Sequence, residues 1–136
     1  MTDTLLADLS ASAPFIVLAV TGLVLMLLDA FGAHRALPGT AAGGMLLSIV
    51  LAWPTAGLGG TATNLHFSEM MAFGGLASII HIFLTLTALF TLFFMEDYLR
   101  RWQEPIHEAY ALLLFALAGM IMLANGNDLI IVFIGL

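Results

Sequence analysis

The sequence contains no cysteine. Disulfides, thiolate metal sites and cysteine nucleophiles are therefore excluded. It contains no lysine either, so Arg35, Arg100 and Arg101 are its fixed cations. Three cations are too few to neutralise a phosphate backbone, which argues against nucleic-acid binding. Charged residues make up 9 % of the chain, against roughly 25 % in a soluble domain. There is no nucleotide loop, no Rossmann fingerprint, no haem-spaced histidine pair and no nucleophile–base set. The four histidines are scattered over four separate segments.

What remains is apolar. Hydrophobic residues are 62 % of the 136. A core of that size cannot hide so much apolar surface from water, so lipid must be the solvent. Gaps between charges then mark the spans. Between Asp8 and Asp29 lie twenty uncharged residues, centred on residues 14–28, enough for one crossing. Asp3 and Asp8 precede this run without a Lys or Arg, which argues against a cleaved signal peptide. A second helix is expected over residues 39–53, between Pro38 and Pro54, because proline suits a first turn and blocks an interior. Trp53 suits a membrane interface. Residues 57–64 read as a flexible loop. Residues 70–95 are the longest clean apolar run, and residues 96–105 a strongly charged loop. A fourth span is expected over residues 106–124.

A fifth apolar run begins at Leu129 and reaches the last residue, Leu136, after eight residues. Eight helical residues rise only about 12 Å, against a hydrocarbon core of about 30 Å. The expected architecture is an all-α membrane protein with four complete transmembrane helices plus the truncated start of a fifth. A chain ending in mid-bilayer is expected to be the front part of a longer or split protein, and to need partner helices to fold.

Arg35 lies after the first span; Arg100 and Arg101 lie after the third. Alternating crossings put both loops on one side. The positive-inside rule makes that side cytoplasmic and the N-terminus periplasmic.

Two groups are proton-path candidates. His81 is an ionisable residue about twelve positions into the third run, with Ser78 and Thr85 on the same helical face. An intramembrane ionisable group is a functional candidate, and histidine titrates near neutrality. The bland alternative is a neutral imidazole hydrogen-bonded to a neighbouring helix. Asp128 lies in the polar break Asn125-Gly126-Asn127-Asp128. It reads as the mouth of a proton path or, with Asn127, as a helix cap. Gly39 and Gly43 form a GxxxG pattern suited to close helix packing. Glu104, His107 and Glu108 do not make a convincing metal site, because Pro105 interrupts them and acids also suit a helix N-terminus. No metal ligand set and no catalytic residue is assigned.

The end of the chain carries a resemblance. Residues 110–120 read YALLLFALAGM, residues 123–129 read LANGNDL, and residues 130–136 form an apolar run ending in Gly-Leu. This pattern resembles the start of the antiporter-like core in membrane subunits of proton-pumping NADH:quinone oxidoreductase (respiratory complex I), and looks most like subunit N. The resemblance implies three peripheral helices and a charged cytoplasmic loop in residues 1–105, and the start of the core in residues 106–136. It implies a bacterial inner-membrane, multi-pass subunit that translocates protons coupled to redox chemistry elsewhere. Its implied partners are the other membrane-arm subunits, the remainder of the same subunit and the bilayer. No cofactor is implied on this chain; flavin, iron–sulfur clusters and quinone are expected in other subunits. The membrane-embedded glutamate and lysine of the family would fall beyond Leu136, so no catalytic residue is carried over. A multisubunit sodium/proton antiporter subunit, or a small structural membrane subunit without transport, are the alternatives.

Overall fold

The structure, a computed structural model, describes residues 2–54, 64–66, 71–73, 75–102 and 108–136, with side chains described over 12–54, 75–98 and 108–136. Five α-helices follow one another: α1 Thr2–Ala30, α2 Leu37–Ala52, α3 Leu76–Trp102, α4 Glu108–Asn125 and α5 Leu129–Gly135. A 3-10 turn, His34–Ala36, leads into α2. Between α2 and α3 two short strands, β1 Asn64–His66 and β2 Met71–Phe73, pair antiparallel with Leu65 opposite Ala72. Four helical stretches are long and apolar enough to cross a membrane: Ser12–Ala30, His34–Ala52, Leu76–Tyr98 and Glu108–Asn125. The expected four spans and short fifth helix are therefore present, with the small hairpin as an addition.

The helices close into a ring. α1 packs on α2 and α4, and α3 packs on α2 and α4, while α5 lies against α4. Each helix of the ring presents one periodic stripe to the inside. On α2 the buried positions are Leu37, Ala41, Met45, Ser48 and Ala52. On α3 they include Ser78, His81, Thr85, Ala88 and Leu92. Such spacings of three and four keep one face of a 3.6-residue helix turned to its neighbours. Leu18, Leu25, Leu114, Leu117 and Ile121 complete the core. The outer faces are equally apolar: Val50 is 65 % exposed and Phe94 75 %, as a lipid-facing surface requires.

The first turn is built by glycine. Gly32 has φ +73°, Ala33 N–H donates to the Leu28 carbonyl and Gly32 N–H to the Asp29 carbonyl, both at 2.9 Å. This is a Schellman ending, with glycine taking the left-handed position. Pro38 then falls in the first turn of α2, where its missing N–H costs nothing.

Two boundaries differ from expectation. The helix of the third run starts later than the apolar run itself. Met71–Phe73 is strand, and the helix begins at Leu76 after Gly75, whose φ is +52°. Its other end runs on through the charged residues to Trp102. Leu, Arg and Glu are good helix formers, so charge alone does not end a helix. Of the expected 57–64 loop, Asn64 belongs to β1 and residues 57–63 lie outside the described residues.

Candidate functional site

His81 lies five residues into α3, which places it about 7.5 Å along the helix axis from Leu76. That is nearer one end of the Leu76–Tyr98 span than its middle. His81 is thus about twelve positions into the apolar run but only five residues into the helix, because the helix starts later than the run. The side chain is 4 % exposed, inside the bundle. Its Nε2 is 2.8 Å from Ser48 Oγ on α2. Ser48, fully buried, donates its hydroxyl to the Pro14 carbonyl of α1 at 2.9 Å. Three helices thus meet through one imidazole, one hydroxyl and one backbone oxygen.

Ser78 and Thr85 share the buried face with His81, as their spacing predicts. Thr85 does not serve the ring, however. Its Oγ1 donates to the His81 carbonyl at 2.8 Å, a bond back along its own helix. The partner of the imidazole is Ser48, which the sequence pattern did not single out. The available signal was a hydroxyl residue late in the second apolar run, at the depth an antiparallel neighbour of α3 would need.

The second candidate sits where α4 gives way to α5. Asp128 occupies the N-cap position of α5 with extended backbone, φ −117° and ψ 145°. Its carbonyl accepts Val132 N–H at 3.1 Å. Its carboxylate makes no capping hydrogen bond, so Asp128 fits the expected cap in position and not in side-chain bonding. Asn125, the last residue of α4, is 4 % exposed, and its Oδ1 finds no donor among the described residues. No hydrogen bond or ion pair among the described residues joins Asp128 to His81, so the two candidates are not brought into one site.

The expected packing role of Gly39 and Gly43 has no counterpart among the described residues: a Cβ on either would meet nothing within 4 Å. The close approach belongs to Gly44, where a Cβ would strike the Thr21 side chain of α1. The reason is angular. Gly43 faces outward on α2, whereas Gly44 is one position round, beside buried Met45.

At the opposite end of the bundle His34 Nδ1 lies 3.2 Å from Asp29 Oδ1 across the first turn, beside Arg35. Glu108 opens α4 in its first turn, while Glu104 and His107 lie outside the described residues. Among the described residues no three His, Asp or Glu side chains could hold a metal ion.

A four-span ring with a buried polar junction and a fifth helix begun after an Asn-Asp break has relatives. No family model matches the chain. NADH-quinone oxidoreductase subunit N of Salinibacter ruber is 35 % identical over 98 % of this chain and 26 % of its own length. The subunit N of Chloroflexus aggregans is 33 % identical over 95 % of the chain and 26 % of its length. That of Rhodospirillum rubrum is 33 % identical over 94 % of the chain, again 26 % of its length. The chain spans about a quarter of the curated relatives it matches. It is a multi-pass membrane protein, and by similarity along nearly all of its residues it belongs to the family of NADH-quinone oxidoreductase subunit N.

Proposed function

We propose that this chain forms part of a membrane subunit of a proton-translocating NADH:quinone oxidoreductase, and that the whole subunit moves protons. The observation that carries the reading is the similarity to subunit N proteins over 98 % of the chain. The four apolar helices are consistent with it. Residues 1–105 supply the peripheral helices and residues 106–136 the start of the core. Redox chemistry, with its flavin, iron–sulfur and quinone groups, resides in partner subunits. This chain contributes spans, packing surfaces and the Asn125–Asp128 break, with Asp128 as a rim group of the proton path. The arginine asymmetry supports a periplasmic N-terminus, with Arg35, Arg100 and Arg101 in the cytoplasm.

The test is genetic and biochemical. An affinity tag on the full reading frame that contains this chain is expected to co-purify NADH:quinone reductase activity from solubilised membranes. Deleting that frame is expected to abolish NADH-driven proton uptake by inverted vesicles. Intact NADH-driven uptake in the deletion, with no co-purifying activity, would overturn the reading.

A further inference from the structure

The bonds around Ser48 fix more than distances. A serine hydroxyl has one proton. Here that proton points to the Pro14 carbonyl, 2.9 Å away. Ser48 Oγ is then an acceptor toward His81, so the hydrogen in the 2.8 Å contact must reside on Nε2. The neutral ring is therefore the Nε2–H tautomer. The order of donation is His81 to Ser48 to Pro14, from α3 through α2 to α1.

This order has a chemical consequence. A proton relay needs each member to accept on one side and donate on the other. The chain ends on a backbone carbonyl, which has no proton to hand on. It begins in a ring that is 4 % exposed and passes through a hydroxyl that is 0 % exposed. On its Nε2 side His81 thus has a dead end.

The same geometry suits holding helices together. Between apolar helices in lipid there is no hydrophobic drive, so packing and interhelical hydrogen bonds do the work. The ordinary ladder leaves a helical carbonyl a second lone pair, which is what Ser48 takes at Pro14. Ser48 lies one turn from Gly44, which packs against Thr21 of α1. Close backbone approach and the polar junction therefore occur on the same α1–α2 seam. We propose that His81 is a positioning residue: with Ser48 and the Pro14 carbonyl it forms a clasp that fixes α1, α2 and α3 against one another, and it carries no proton through Nε2.

Ring chemistry supplies the test. Glutamine Nε2 stands the same number of bonds from Cα as histidine Nε2, and asparagine Nδ2 the same number as Nδ1. The full-length protein in its assembled membrane complex is compared as wild type, His81→Gln, His81→Asn, His81→Leu and Ser48→Ala. Heat-inactivation midpoint and protons translocated per electron are read for each. His81→Gln is expected to keep both near wild type. His81→Asn, His81→Leu and Ser48→Ala are expected to lower the midpoint by about 2–4 °C, and the His81→Leu/Ser48→Ala pair to lose little more than either alone. The proposal is overturned if His81→Gln assembles normally but translocates fewer protons, or if His81→Asn restores the midpoint and His81→Gln does not. The midpoint arm does not depend on what the assembled protein transports.

Discussion

Gly119 of α4 and Gly135 of α5 touch backbone to backbone. A Cβ added to Gly119 would stand 2.8 Å from the Gly135 carbonyl oxygen, and one added to Gly135 would stand 3.1 Å from the Gly119 oxygen. α5 has no buried residue of its own, so this crossing is a principal seat for it. Gly119→Ala is expected to cost about 1–3 kcal/mol, the usual range for forcing atoms into a closed contact. Thermal unfolding of the full-length protein in detergent measures it. An unchanged midpoint would mean that α5 is held elsewhere.

Two adjacent glycines of α2 should behave in opposite ways. Gly43→Ala adds a methyl where nothing lies within 4 Å and gains helix propensity, so it is expected to be neutral or stabilising by up to about 1 kcal/mol. Gly44→Ala drives a methyl into Thr21 and is expected to destabilise by about 1–3 kcal/mol. Thr21→Ala in the same chain removes the nearest atoms and should recover part of the loss. Equal effects at Gly43 and Gly44 would contradict an α1–α2 seam that runs through Gly44.

The first turn offers a smaller, cleaner test. Gly32 is left-handed at φ +73° with open space around it, so only backbone conformation opposes a side chain. Gly32→Ala is expected to cost about 1–2 kcal/mol. The neighbouring Asp29–His34 pair is partly exposed, at 26 % and 45 %. Asp29→Asn is therefore expected to change stability by less than about 1 kcal/mol.

These contrasts show what a sequence yields and what it withholds. Four spans and a short fifth helix were legible because charge gaps and period both follow from one helix in one solvent. The buried side of α3 was legible for the same reason: Ser78, His81 and Thr85 share a face by spacing alone. Ser48 as the partner of His81 was not, because it depends on the relative slide of two helices. Neither was the contact of Gly44 with Thr21, since about 100° of helical rotation separates one α2 position from the next. The start of α3 was misplaced because Met71–Phe73 is as apolar as the helix it precedes, and hydropathy does not distinguish strand from helix.

Orientation can be read by cysteine labelling, because residues 1–136 contain no cysteine and an introduced one is the only reactive thiol in this segment. Asp3→Cys is expected to react with a membrane-impermeant maleimide added to intact spheroplasts. Arg35→Cys is expected to react only after the membrane is opened. The reverse pattern would invert the whole topology, since the arginines of both loops move together.

Asp128 is the candidate whose role a conservative change can isolate. Its backbone sets the start of α5, and its carboxylate adds no capping bond. Asparagine is as good as aspartate at an N-cap, and at the start of a short helix the charge itself is worth about 0.3–1 kcal/mol. Asp128→Asn should therefore keep stability within about 1 kcal/mol of wild type, with the α4–α5 crossing intact. If the carboxylate is a rim group of a proton path, the same variant loses its titratable site. Proton uptake per NADH oxidised by vesicles is then expected to fall, while NADH:quinone reductase assembly, followed by co-purification, stays normal. Asp128→Glu, which restores a carboxylate one methylene further out, should recover part of the uptake. If Asp128→Asn pumps as well as wild type, Asp128 acts only through its backbone, and the path must open elsewhere in the subunit.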